Sequence, residues 1–235
     1  MIEYRSKSYE RYAGVKGIDY QKFVGSYQRK LSGKLMVERN WRCLDLGCGF
    51  GNFLAYLRKL GVEHVFGIDS SEEAIGVARK EFGSSKVICA DVFEFMEKTE
   101  GEYELVSALD FVEHLRKDEL FRLLVSLRKI HKLGGLLLLR TPNASAPFGM
   151  AARYNDITHE ICFTPSSIRD VLGQSGYRVN AIWEDSAEPG TLVQTSHWVV
   201  WSLVRFVMRT INAAETGQWG DGILTRNMWI LAQKL

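Results

Sequence analysis

The chain has 235 residues, 46% of them hydrophobic and 25% charged, and a formal net charge of +2. These values describe one globular domain of ordinary size with enough chain for a sizeable core. The charges are nearly balanced and form no lysine/arginine block, which gives no ground for a dedicated nucleic-acid binder; no stretch reaches the roughly 18 apolar residues of a membrane-spanning helix.

Helix and strand signals alternate along the chain, as in a doubly wound α/β sheet. Residues 1–40, rich in tyrosine (Tyr4, Tyr9, Tyr12, Tyr20, Tyr27), read as a helical segment that either closes over the ligand edge of the sheet as a lid or packs elsewhere as core. A first strand covers Arg42 to Leu46, and a helix from Asn52 to Leu60 turns Phe53, Leu54, Leu57 and Leu60 inward before Gly61 closes it. The second strand ends at Asp69. Ser70 or Ser71 caps the next helix, which carries Glu72 and Glu73 in its first turn and Ala74, Ile75, Ala78 and Phe82 on one face. Lys86 to Ala90 forms a third strand ahead of Asp91, and Glu104 to Leu109 a fourth ahead of Asp110.

Leu120, Leu123, Leu124, Leu127 and Ile130 then fall at helical spacing. Gly134-Gly135 reads as a turn into Leu136 to Arg140, an apolar run suited to a strand buried on both faces. Thr164-Pro165-Ser166 opens a helix with Ile168, Val171 and Leu172 inward. Strands Tyr177 to Trp183 and Asn227 to Lys234 bring the number to seven, with residues 185–225 an insertion between them; one domain covers 1–235. Cys43, Cys48, Cys89 and Cys162 form no C-x-x-C pair, and Met1 to Arg5 lack a signal peptide's apolar run, so a reducing cytoplasm is the expected location.

The most informative stretch is Leu44-Asp45-Leu46-Gly47-Cys48-Gly49-Phe50-Gly51, a short apolar strand running into a glycine-rich turn. An acid, Asp69, follows at the tip of the next strand, about 20 residues on, which is the arrangement that holds a nucleoside at the first crossover of a parallel sheet. The glycines permit positive φ and close approach of backbone to ligand. The acid can accept hydrogen bonds from two ribose hydroxyls. Position 52 is Asn where the dinucleotide pattern G-x-G-x-x-G has its third glycine, so nothing favours a pyrophosphate over a smaller, phosphate-free ligand, and a dehydrogenase is disfavoured.

These eight residues resemble motif I of the class I S-adenosylmethionine (SAM) methyltransferases, an acid two residues before G-x-G-x-G. The resemblance extends over residues 42–234. It implies a Rossmann-like, seven-stranded, mostly parallel sheet with helices on both faces and an antiparallel last strand. It also implies that SAM lies on Gly47, Cys48, Gly49 and Gly51, with Asp45 under the loop near the amino group. Asp69 and Ser70 would meet the ribose, Asp91 the adenine amine, the backbone N–H of Val92 the ring, and Asp110 the methionine moiety.

An activated methyl needs little beyond alignment and exclusion of water, but a hydroxyl acceptor must also lose its proton to a base or at a metal. Asp110-Phe111-Val112-Glu113-His114 after the fourth strand and Arg153-Tyr154-Asn155-Asp156-Ile157-Thr158-His159-Glu160 after the fifth should converge over the methyl group. The second run, with Phe163-Thr164-Pro165 after it, resembles the acceptor loop of methyltransferases encoded with bacterial polysaccharide and lipopolysaccharide genes. His159 is the leading candidate base, with His114 and Glu113 beside it; the alternative is a histidine that holds the loop to the sheet. D-x-x-E-H plus a later His is also similar to the E-x-x-E-H…H cluster of small-RNA 2′-O-methyltransferases and to the E-x-x-E-H of some ubiquinone-pathway O-methyltransferases. That resemblance implies a divalent ion on Asp110, Glu113, His114 and His159, although the first acid is one methylene short.

The insertion contains Trp198 to Ile211, an apolar run in which Arg205 and Arg209 share a helix face. It suits a helix in a membrane interface serving a lipid-linked acceptor, a homodimer contact, or a cap on the pocket. The expected function is O-methylation of a sugar or glycan intermediate, peripheral at the inner face of the membrane if the acceptor is lipid-linked. The rivals are a small aromatic or quinone-like hydroxyl acceptor and a nucleotide-binding scaffold without catalysis.

Overall fold

A computed structural model of the chain describes residues 18–99, 101–186 and 191–235. Tyr4, Tyr9 and Tyr12, and with them the first part of the expected lid, lie outside the described residues. In chain order the elements are α1 (Tyr20–Leu31), β1 (Arg42–Leu46), α2 (Asn52–Lys59), β2 (His64–Asp69), α3 (Glu72–Phe82), β3 (Val87–Cys89), α4 (Val92–Lys98), β4 (Tyr103–Leu109), a 3₁₀ turn (Val112–His114), α5 (Lys117–Ile130), β5 (His131–Pro142), α6 (Gly149–Arg153), α7 (Pro165–Gln174), β6 (Tyr177–Glu184), α8 (Leu192–Thr216) and β7 (Asn227–Lys234).

The seven strands form one sheet in the order β3-β2-β1-β4-β5-β7-β6. β1 to β5 pair in parallel, and β7 runs antiparallel to both β5 and β6. This is the class I methyltransferase topology expected from the sequence. The chain leaves β1 in one direction through β2 and β3 and returns on its other side at β4, so the crevice of the sheet opens at the carboxyl ends of β1 and β4.

Side chains alternate across the central strands and supply two cores. Leu44, Leu46, Ile68, Val106, Leu137 and Leu139 face α4, α5 and α7. Cys43, Val65, Leu105 and Leu138 face α1, α2 and α3. Burial on both faces explains why the central strands read as near-continuous apolar runs. The expected inward faces of α3 and α5 are buried residue for residue.

Three expectations are corrected. Leu60 is 41% exposed, because α2 ends at Lys59 and its inward face is completed by Tyr56 instead. Gly134-Gly135 is not a turn: α5 runs directly into β5, whose pairing with β4 shifts register between Tyr103 and Leu105, and Gly134 takes φ +76° within this irregularity. The apolar helix of the insertion is longer than the sequence signal, covering 25 residues. No described helix is long and apolar enough to cross a membrane.

Candidate active site

Local backbone geometry requires glycine in the turn after β1. Gly47 has φ +67°, and a Cβ there would lie 2.6 Å from the Phe111 ring. Gly49 has φ +52° and faces open space, so its backbone is the part of the loop a ligand can approach most closely. Asp69, buried at the tip of β2, holds this loop: Oδ2 accepts from the Gly49 N–H at 2.9 Å and Oδ1 from the Ser71 N–H at 2.8 Å. A carboxylate has about four acceptor positions, so anchoring the loop and receiving ribose hydroxyls are compatible.

Two cavities flank the glycine loop and share Gly47 and Asp110 in their walls. The larger, about 440 Å³, is lined by Asp69, Ser70, Asp91 and Val92 on one side and by Phe111, His114 and Thr158 on the other. The smaller, about 190 Å³, is lined by Asp45, Cys48 and Gly49 and closed by Tyr27 of α1. Tyr27 packs on Phe53, Tyr56 and Trp229, and the Tyr20 hydroxyl donates to the Phe50 carbonyl at 2.9 Å. The described part of the N-terminal segment therefore stands against the ligand edge. Gly51 takes φ +83° at the start of α2, where a Cβ would strike Phe82 at 2.5 Å.

Asp91 has a second task. Its Oδ1 caps α4, accepting from the Phe93 and Glu94 N–H groups at 2.8 and 3.2 Å, while no hydrogen bond to Oδ2 is found among the described residues. Asp45 is buried and accepts from the Ser107 hydroxyl at 2.6 Å. Burial raises its pKa to about 7, with the Asp69 charge adding to the rise and the Ser107 hydrogen bond opposing it. Burial also pushes the Cys48 thiol well above its ordinary value, so this cysteine is a wall of the cavity rather than a nucleophile.

The two polar loops do converge. The Glu113 carbonyl accepts from the N–H groups of Glu160 and Ile161 at 2.7 and 3.1 Å, and the rings of His114 and His159 meet edge to face with centroids 4.8 Å apart. Hydrogen bonds set both tautomers. Thr158 Oγ1 donates to Asp156 Oδ1 at 2.7 Å, so it receives the Nδ1–H of His114 at 2.8 Å. His159 Nδ1 lies 3.1 Å from the Arg153 carbonyl, which can only accept. In its neutral form each ring therefore carries its lone pair on Nε2. Burial, followed by the neighbouring His159, lowers the His114 pKa and favours the neutral ring.

Glu113 is buried; among the described residues its Oε2 makes no hydrogen bond of normal geometry, although the Thr141 hydroxyl stands near enough to oppose the rise of its pKa. Burial, with the Asp110 charge nearby, raises its pKa well above the carboxylate range. Glu113, His114 and His159 offer ligand atoms within 4.8 Å of one another. Asp110 is not part of this group, which corrects the four-residue metal set expected from the sequence. It has φ +54° at the end of β4 and forms an ion pair with Arg140. Arg140 also binds Asp185, which in turn pairs with Lys30 of α1 and accepts from Trp229 Nε1 at 3.0 Å. This chain of charges joins α1, β4, β5 and the segment after β6.

The family profile described as a methyltransferase domain matches residues 19–182. The chain belongs to this family. Over 78 residues, 32% of this chain, it is 38% identical to a ubiquinone biosynthesis O-methyltransferase of Aromatoleum aromaticum; the match spans about a third of that relative, 33% of its length. Among solved structures, a SAM-dependent methyltransferase from Archaeoglobus fulgidus shares the fold with a TM-score of 0.68 at 22% identity, covering 97% of this chain and 100% of that one. Magnesium protoporphyrin IX methyltransferase of Synechocystis PCC 6803, solved with bound SAM, aligns with a TM-score of 0.56 at 16% identity over 97% of this chain and 92% of that one.

In this methyltransferase domain the residues present suit SAM. The glycine loop lines both cavities, a buried carboxylate stands at the tip of β2, and a second, Asp45, lines the smaller cavity beside the loop. Asp45 makes the last feature testable. A carboxylate raised to about 7 favours the ligand-free fold at low pH and penalises it as pH rises through that value, whereas an ammonium ligand binds the ionised form. The affinity for S-adenosylhomocysteine should therefore rise between pH 6 and pH 8 with proton release near neutrality, measured by calorimetry in buffers of different ionisation enthalpy. Asp45→Asn should flatten that pH dependence.

The relay from Asp156 through Thr158 to His114, the place of Tyr27 in the cavity wall and the role of Arg140 were not foreseen; Asp156 and Thr158 did lie in the polar run expected over the site, and Tyr27 in the tyrosine-rich N-terminal segment, whereas Arg140 carried no signal.

Proposed function

We propose that the protein is a SAM-dependent O-methyltransferase whose acceptor hydroxyl is held at the mouth formed by Phe111, His114 and Thr158. SAM spans the two cavities, with Asp69 and Ser70 on the ribose, Asp91 and Val92 at the adenine, and Asp45 at the amino group beneath Gly47 and Gly49. The methyl passes from the sulfonium to the acceptor oxygen, the acceptor proton passes to His114 Nε2, and S-adenosylhomocysteine leaves.

The observation that carries this reading is the Asp156–Thr158–His114 chain, which presents a neutral imidazole lone pair on the wall of the larger cavity. His159, the leading base by sequence, is not among the residues lining that cavity; set edge to face against His114 and bonded to the Arg153 carbonyl, it orients the mouth.

A second reading has its own observation. The Glu113 carboxyl, whose Oε2 makes no normal hydrogen bond among the described residues, and the rings of His114 and His159, each held through Nδ1, make a set that fits a divalent ion, since such ligands characteristically donate their other ring N–H to a carbonyl or hydroxyl. When bound, the ion would lower the acceptor hydroxyl's pKa and favour vicinal hydroxyls. Sugars and catechols both carry them. The relative named for ubiquinone biosynthesis supports an aromatic or quinone-like acceptor; the acceptor-loop resemblance supports a sugar or glycan intermediate.

Methyl-labelled SAM offered to a panel of catechols and a panel of nucleotide-linked and free sugars, with Mn²⁺ or with a chelator, separates these readings. Labelled phenolic or sugar ether supports O-methyl transfer and names the class. Turnover abolished by the chelator and restored by Mn²⁺ supports the ion. Label confined to nitrogen acceptors contradicts the proposal.

A further inference from the structure

Helix α8 is built inside out for a surface helix. It is 25 residues long and none of them is buried. Its two arginines turn toward the body: Arg205 pairs with Glu184 at 2.9 Å, and Arg209 Nε donates to the Trp219 carbonyl at 3.2 Å. The Trp201 indole N–H likewise points at Glu184, at 3.3 Å. The opposite, outward face carries no Asp, Glu, Lys or Arg from Leu192 to Ala214, and Leu203 on it is 65% exposed and Phe206 60%.

That face also has a period. Val193, Val200, Val207 and Ala214 alternate with Ser196, Leu203 and Thr210 at spacings of three and four, a heptad seam over three repeats. A lipid surface asks only for an apolar face, and interfacial helices keep basic side chains available to headgroups. Here both basic residues are spent on the body of the protein. A 3.5-residue seam of β-branched and small side chains is what a second helix requires, and a face without charge is complementary to itself under a two-fold axis.

We infer that the outward face of α8 binds the same face of a second copy of this chain, forming a symmetric dimer through a helix pair. The segment after α8 also supports the acceptor loop, since Asn143 at the root of that loop donates to the Ile223 and Thr225 carbonyls at 2.9 and 3.1 Å. Pairing of α8 would therefore steady the mouth of the site from behind.

Sedimentation or light scattering of the full chain at micromolar concentration, with Leu203→Glu and Val207→Glu as variants, tests this inference. A wild-type dimer that becomes monomeric in both variants supports it, provided both bind S-adenosylhomocysteine as the wild type does, which shows that they fold. A monomeric wild type overturns it, as does a dimer that both variants leave intact. A wild-type monomer that floats with neutral or anionic lipid vesicles, and no longer does so after either substitution, assigns the face to a membrane instead. None of these outcomes depends on whether methyl transfer is the reaction; loss of cofactor binding by the wild type would count against that reading alone.

Discussion

Asp69→Ala is expected to weaken binding of S-adenosylhomocysteine at least about a hundredfold. Two charge-assisted hydrogen bonds to ribose hydroxyls, each worth about 1.5–3 kcal/mol, would be lost, and 1.4 kcal/mol is a factor of ten in affinity. The substitution also releases the Gly49 N–H, which Asp69 Oδ2 holds at 2.9 Å, so the loop loses its anchor as well as the ligand its partner. Asp69→Asn, which keeps one acceptor, should fall between the two. Asp91→Ala is the informative companion, because Asp91 Oδ1 already serves the cap of α4 and only the remaining oxygen is available to adenine; its effect should be smaller on affinity and visible in thermal stability. Calorimetric affinities and melting temperatures of the three variants check this ordering. Unchanged affinity in a folded Asp69→Ala protein would remove the ribose assignment.

The second large effect is on chemistry. His114→Ala is expected to lower kcat by about 10²–10⁴, the usual contribution of a positioned general base, while S-adenosylhomocysteine binding is retained. Thr158→Val should give a milder loss, since it cuts the link to Asp156 without removing the imidazole. Burial and the neighbouring His159 lower the His114 pKa. The ring therefore stays neutral to a pH below the ordinary histidine value, and the wild-type rate should fall on acidification only below that value. His159→Ala should raise KM more than it lowers kcat, because that ring orients the mouth. Steady-state kinetics over pH 5–9 with the identified acceptor separates the roles. Equal losses of kcat in the two histidine variants would contradict the division.

Much of this architecture was legible in the chain. Strand positions, the switch at β1, the cap at Ser71 and the buried stripes of α3 and α5 follow from local patterns, because periodicity and caps are properties of neighbouring residues. The glycine loop and Asp69 were legible for the same reason: they lie within about 20 residues of one another in a fixed strand–turn–helix–strand unit. What was hidden depends on distant pairings. The pairing of Asp110 with an arginine depends on Arg140, on another strand, and on the left-handed backbone at the tip of β4. That His114 rather than His159 stands on the cavity wall, and that a threonine 44 positions away meets its ring, depends on how the two loops fold together. The apolar stretch in α8 was plain, but its orientation, with arginines inward and valines outward, emerges only once Glu184 and the 217–226 segment are in place.

The most direct test is calorimetric titration of the wild-type protein with S-adenosylhomocysteine in the presence of a chelator. Saturable binding in the micromolar range with one ligand per chain is expected, since all the proposed cofactor contacts come from a single chain and none from a metal. Absence of binding at millimolar ligand, with the protein shown to be folded, would contradict it and leave the glycine loop and Asp69 without the ligand that explains them.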